Sequence, residues 1–276
     1  MFLKEGVFAW LGDRMSWEKT IGRVSFINCE PLFHGLEDSW NILPAPPSWL
    51  TGHLIRRDCI LAPIPAADYA KNSDKLVLVP DLSISSKGEV GSVLLFGKKN
   101  ISDMKSIALP SDSATSVTLL KFLIKNRKLQ PEYVEMGPDL SGMLAKCDGC
   151  LLIGDRALEA ARSHQELVKL DLGKEWKEVS GHPMVFGVFA ARRDSDVSIV
   201  KSAYTALIQR LIEFETNSSV RKDVIKTSSE KSSQSVERLE RYFGEVINRM
   251  DVEDMNGLKQ FLNSACQMQD EITMAW

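Results

Sequence analysis

The chain has 276 residues, enough for one large domain or two ordinary ones, with ample apolar surface to bury. A hydrophobic fraction of 44% and a charged fraction of 26% are those of an ordinary globular protein, and no run approaches the ~18 apolar residues of a membrane span. A net charge of −3 offers no basic face for nucleic acid.

The first residues, "MFLKEGVFAWLGDRMSWEK", carry Lys4, Glu5, Asp13 and Arg14 within a short apolar stretch. They lack the unbroken apolar region and small-residue cleavage site of a signal peptide, so the cytoplasm is the expected compartment. Strand patterns then follow at 23–27, 41–45, 59–64, 75–80, 91–97, 105–110, 132–136, 149–154, 167–172 and 183–191. Their content of Val, Ile, Leu and Phe predicts sheets buried on both faces. Helical patterns fall between them at 47–57, 114–126, 139–146 and 156–165. This alternation predicts an α/β architecture with largely parallel sheets. From Asp196 onward only helix is expected, interrupted by a Ser-rich connection at 227–235.

Parallel α/β sheets present ligands at the carboxyl ends of their strands, and three polar stretches fall there. Asn28 follows the apolar run "VSFI", and a strand that only packs a core has no need to end on an amide. In "LPSDSATSVTLLKFL", Ser111, Ser113, Thr115 and Ser116 precede a long apolar-periodic helix. One cap by Ser111 or Ser113 needs a single hydroxyl. Four of them beside the free N–H groups and positive dipole end of a helix point to a carboxylate or phosphate. In "LLIGDRAL", Asp155 is either an N-cap or a ligand contact.

The four histidines, His34, His53, His164 and His182, have no metal-ligand spacing; His182, just before a strand, is the candidate to reach a pocket. Five cysteines are odd in number and too few for a disulfide framework. Cys147 and Cys150 have CxxC spacing, but Cys150 leads into an apolar run and reads as a buried strand residue. No nucleophile elbow, phosphate-binding glycine loop or dinucleotide fingerprint is present, and no cofactor or metal is expected.

Taken in order, "GRVSFINCEPLFHGLE", "LVPDLSISSKGEVGSVLLF", "SATSVTLLKFLI", "LLIGDRAL", "DLGKEWKEVSGHPMVFGVFAARR" and "NGLKQFL" resemble the chorismate dehydratases of menaquinone biosynthesis by the futalosine route (the MqnA family), from about Gly22 to about Phe261. The resemblance implies a type 2 periplasmic-binding-protein-like fold, with two α/β lobes and a ligand cleft between them. Residues 1–98 and 187–276 would then form lobe one and 99–186 lobe two. It implies conversion of chorismate, a small dicarboxylate, to 3-[(1-carboxyvinyl)oxy]benzoate and water. Asn28 and Ser92 match the family's catalytic positions, and Ser113, Thr115, Ser116, Asp155 and His182 would bind substrate.

The chain departs from the family at three points. Pro65 and Ala66 stand where a hydroxyl-bearing pair is usual, His182 where Leu is common, and Phe189 where Trp is frequent. The sister enzyme that makes 1,4-dihydroxy-6-naphthoate fits less well, since Gly154 stands where its catalytic histidine would fall. A cytoplasmic carboxylate-binding protein without catalysis is the other reading of the same fold.

Overall fold

The computed structural model describes residues 16–276. Phe8 and Trp10, aromatics that the sequence offers for packing on a lobe, lie outside the described residues.

The chain opens with β1 (Thr20–Val24), a short turn into α1 (Glu30–Phe33), then β2 (Asn41–Ala45), α2 (Pro47–Ile55), β3 (Leu61–Pro65), α3 (Ala66–Lys71) and the long β4 (Leu76–Ser86). It continues through β5 (Val93–Gly97), β6 (Ser106–Pro110), α4 (Ala114–Asn126), β7 (Glu132–Met136), α5 (Leu140–Lys146), β8 (Gly149–Ile153), α6 (Gly154–Ser163), β9 (Val168–Asp171) and α7 (Leu172–Ser180). It closes with β10 (Met184–Arg192), α8 (Val197–Thr216), α9 (Ser218–Ser232), α10 (Val236–Glu245), β11 (Ile247–Arg249) and α11 (Val252–Ser264).

The strands form two sheets, of order β11-β4-β10-β3-β1-β2 and β7-β6-β8-β5-β9. Each sheet is mixed rather than largely parallel, and the reason lies in the crossings. β5 is the first strand to enter the second sheet and runs antiparallel to β8 and β9. β10 returns to the first sheet and runs antiparallel to β3 and β4. The chain therefore changes sheets between Ser86 and Val93, and again between Ser180 and Met184, earlier than the expected boundaries after 98 and 186.

Burial on both faces is visible along β5. Val93 and Leu95 belong to the large core, which continues into the other lobe, while Leu94 and Phe96 belong to a smaller one on the opposite face. Cys150 alternates the same way on β8, and all five cysteines are unpaired thiols. Two features of the last third depart from expectation. β11 is a strand, completing the edge of the first sheet beside β4. The Ser-rich stretch is helical as far as Ser232, and Ser228 and Ser232 satisfy their hydroxyls within the helix by donating to the carbonyls of Val224 and Ser228, at 2.7 Å each. Among the described residues no helix is long and apolar enough to cross a membrane.

The return crossing is pinned from both lobes. Trp176 of α7 is fully buried, donates its indole N–H to the Pro183 carbonyl at 3.0 Å, and meets Phe261 of α11 edge-on at 5.8 Å. Gly257 lets α11 approach the same segment, since a Cβ there would overlap the Pro183 carbonyl. Gly257→Ala should therefore lower stability by about 1–3 kcal/mol despite alanine's better helix propensity. Gly244→Ala on α10, with nothing within 4 Å of the added carbon, should instead raise it by up to ~1 kcal/mol. Urea denaturation midpoints at unchanged slope read both changes.

Candidate functional site

A cavity lies where the two sheets' strand ends meet. Lobe one contributes Phe26, Asn28, Pro47, Pro65 and Phe186, the second lobe contributes Ser113, Thr115, Ser116 and Gly154, and Ser92 stands on the outward crossing. Asn28, Ser92, Ser113, Thr115 and Ser116 are all buried, and the structure gathers the five around one space. That space is about 60 Å³, well below the ~300–1,000 Å³ of small-molecule pockets. The space as it stands is narrow, and parting of the lobes is the motion this architecture offers for admitting a larger ligand.

Among the described residues, the lining contains no Asp, Glu, His, Lys, Arg, Cys or Tyr. Its polarity comes from one amide, four hydroxyls and the starts of helices. α2, α4 and α6, of nine, thirteen and ten residues, all begin at the cavity wall, and none carries a side-chain N-cap bond. By contrast α5, α7, α8, α9, α10 and α11 are each capped by an Asp, Asn or Ser side chain. Three helix starts thus face one space, although α2 opens on Pro47, which has no N–H, and the first N–H groups of α4 and α6 are taken by the Ser48 hydroxyl and the Ser92 carbonyl.

Asn28 sits in the 3₁₀ turn Ile27–Cys29, just past the end of β1 rather than at the strand tip. Its buried amide oxygen has no hydrogen-bond partner among the described residues. An unmet buried acceptor costs about 1–3 kcal/mol, which argues for a group kept for a ligand. Ser113 occupies the N-cap position of α4 without making the cap bond; the Ala114 N–H goes instead to the Ser48 hydroxyl at 3.2 Å. Thr115 accepts the Ala67 N–H at 3.1 Å. That N–H opens α3, where Pro65 and Ala66 supply no hydroxyl of their own, so the second lobe provides the missing oxygen.

Ser92 is fixed at both ends. Its carbonyl accepts the Gly154 N–H at 2.8 Å, and its hydroxyl accepts from Tyr242 of α10 at 3.1 Å. Burial pushes the Tyr242 phenol well above its usual range, so it stays protonated and donates. Because Ser92 accepts that hydrogen bond, its own hydroxyl proton is free to point elsewhere. Tyr242 gave no sequence signal, since a helical Tyr beside Leu239 reads as core.

Two expected residues are placed elsewhere. His182 is half-buried in the turn before β10, with its N–H on the Ser180 hydroxyl, and it does not line the cavity; the apolar run of β10 begins only after it. Asp155 also stays out of the lining and does not cap α6, whose N-cap position is Ile153. Its carboxylate crosses to lobe one and accepts the Ile27 N–H, at 3.1 and 3.3 Å to its two oxygens. Burial raises its pKa to about 6, helped by Glu30 and opposed by the Ile27 N–H, Arg156 and Arg23. Phe189 is fully buried in β10, away from the cavity. Among the described residues no group of three or more His, Cys, Asp or Glu side chains could hold a metal ion.

Thr115→Val keeps the shape of the side chain but leaves the Ala67 N–H without an acceptor. It should cost about 1–3 kcal/mol of stability, read from the urea midpoint.

A family profile described as menaquinone biosynthesis matches residues 19–267. The chorismate dehydratase of Thermus thermophilus is 30% identical over 258 residues, covering 87% of this chain and 93% of the relative. A solved protein of Archaeoglobus fulgidus superposes with a TM-score of 0.72 at 21% identity, over 89% of this chain and 96% of that one. A Candida albicans protein, described as exhibiting the generic periplasmic binding protein structural fold, superposes at 0.63 and 13% identity, over 91% of each chain. The architecture is that of the periplasmic binding proteins, and the chain belongs to the menaquinone-biosynthesis family that the sequence resemblance indicated.

Proposed function

We propose that this protein is a chorismate dehydratase of the cytoplasm, converting chorismate to 3-[(1-carboxyvinyl)oxy]benzoate and water. The observation that carries the reading is a narrow, mostly apolar cavity into which one amide and four hydroxyls converge and whose lining, among the described residues, has no titratable side chain. Chorismate brings two carboxylates. The starts of α4 and α6, with Ser113 and Ser116, suit their capture without a counter-cation.

The reaction removes a proton from ring carbon 3 and the hydroxyl from carbon 4. The electron pair of the broken C–H bond becomes part of the aromatic ring, and proton and hydroxide leave together as one water. Aromaticity supplies much of the driving force, so the protein's task is to orient groups and to stabilise developing charge. No lining side chain is a general base, which leaves a substrate carboxylate to accept the proton. In this reading Asn28 and Ser92 orient that carboxylate and the leaving hydroxyl. The Tyr242 bond to Ser92 holds the serine as a donor toward them.

Purified protein incubated with chorismate should generate benzoate-type absorbance, with the product's mass lower by one water. Asn28→Ala should lower kcat by about 10²–10³-fold, the scale of losing one preorganised polar contact to developing charge. Ser92→Ala and Tyr242→Phe should each cost about tenfold, near 1.4 kcal/mol. Binding of chorismate without turnover by the unaltered chain would point to a carboxylate-binding protein instead. Near-normal turnover in Asn28→Ala would remove Asn28 from the mechanism.

A further inference from the structure

We propose that Asp155 is a positioning residue that couples closure of the cleft to the placement of Asn28, by accepting the Ile27 N–H across the lobe boundary. The kinetic part of this proposal rests on the chorismate reading above; the structural part does not.

The first N–H groups of a helical turn have no partner within it. Ile27 begins the turn that carries Asn28, and the residue before it, Phe26, provides no side-chain cap. The acceptor comes from the other lobe instead, as both carboxylate oxygens of Asp155. The neighbours of Asp155 enclose the same segment. Gly154 has φ +59°, and a Cβ on it would stand 2.6 Å from the Phe26 ring. The Arg156 guanidinium lies 5.3 Å from the centre of that ring and pairs with Asp112 at 2.6 Å. Gly154, Asp155 and Arg156 therefore grip Phe26 and Ile27 from the second lobe, and Asn28 is the next residue along. Asp155 does not line the cavity, so it acts on the site through the turn.

Closure is linked to protonation with a definite sign. In the closed arrangement burial holds the Asp155 carboxyl near about 6. Parting the lobes returns it toward solvent and the usual carboxylate range near ~4. The closed form therefore binds the proton more tightly, and closure is favoured as pH falls from neutral through that window. A neutral carboxyl still accepts the Ile27 N–H through its carbonyl oxygen. Charged and titratable groups around Asp155 are Glu30 of α1, Arg23 of β1, Cys29, Tyr242 of α10 and Arg156 of its own helix, and Glu159, Arg162, His164, Asp139 and, from α9, Lys231 line a surface pocket with it.

The test compares Asp155→Asn, which keeps an acceptor oxygen, with Asp155→Ala, which does not. Asp155→Ala should lower kcat for chorismate about tenfold or more with KM changed less than threefold, and Asp155→Asn should restore kcat to within threefold of the unaltered enzyme. Hydrogen–deuterium exchange of a peptide spanning Phe26–Cys29 should speed up in Asp155→Ala alone. Small-angle scattering should show the unaltered protein becoming more compact between pH 7.5 and pH 5, and Asp155→Asn showing little such dependence (pH values set by the window near ~6).

Unchanged exchange and kcat in Asp155→Ala would overturn the proposal. So would a raised KM at constant kcat, which would make Asp155 a substrate contact. If Asp155→Ala fails to fold, Asp155→Asn decides: scattering with the same pH dependence as the unaltered protein refutes the clasp. If the unaltered protein does not turn over chorismate, the functional reading fails, while exchange and scattering still decide the clasp.

Discussion

The structure depends on the convergence of uncapped helix starts upon a space without formal charge. Six helices elsewhere in the molecule satisfy their first N–H groups with their own capping side chains. Those that begin at the cleft do not. An unmade cap costs about 0.5–2 kcal/mol unless the N–H groups find other partners. Some partners come from across the cleft: Ser48 of α2 serves the Ala114 N–H of α4, Thr115 of α4 serves Ala67 of α3, and Asp155 of α6 serves Ile27 in the turn after β1. These bonds tie the two lobes together around the cavity.

The crossings turn that constraint into a site. The chain leaves one sheet for the other twice, and β5 and β10, the strands that follow each crossing, both run antiparallel to their new neighbours. Ser92 lies on the outward crossing, where neither sheet's ladder fixes it. Its position comes from Gly154 of the second lobe and Tyr242 of the first, and both bonds are required to hold one small hydroxyl at the boundary. On the return crossing Trp176 and Gly257 bring α7 and α11 onto Pro183. The cavity is therefore framed by two short segments, each tied to both lobes, about which rotation is the natural motion of this architecture.

How far the sequence speaks follows from where each signal is stored. α4 lies where its apolar pattern places it, because a long periodic run carries its own burial; β2 and β7 also coincide with their patterns, although both are five-residue edge strands with little buried surface. β11 has three residues and exists only through its pairing with β4, a partner more than 150 residues away, so no local pattern announces it. The α7 segment "LGKEWKEVS" is amphipathic, yet it is hidden directly behind a short strand and was not separable from it. The Ser-rich end of α9 looked like a loop because serine favours turns; the hydroxyls bond back to their own helix instead. At the site, Asn28 and the hydroxyls of "SDSATS" stood out as polar groups that a core does not need. Asp155 stood out equally, but a capping aspartate, a ligand contact and a clasp share one spelling. His182 failed for the opposite reason: a histidine before a strand is within reach of a pocket only if the turn aims it there, and this turn spends its N–H on Ser180.

The absence of Lys and Arg from the lining has a chemical consequence for a dicarboxylate. A cation would bind substrate carboxylates in the ground state and the transition state alike, lowering KM without accelerating the chemistry. N–H groups and hydroxyls hold the same oxygens with direction rather than with net charge, so a shift of charge toward a departing hydroxyl is met by donors already in place. They also discriminate. Donors buried in an apolar wall made of Phe26, Ile84, Val90 and Phe186 are costly to leave unpaired, so a ligand lacking an oxygen at one of them is rejected more strongly than one lacking a methylene. Pro65 and Ala66 bring no hydroxyl to the start of α3, where Thr115 of the second lobe covers the Ala67 N–H, so the hydroxyls at that corner all belong to the start of α4.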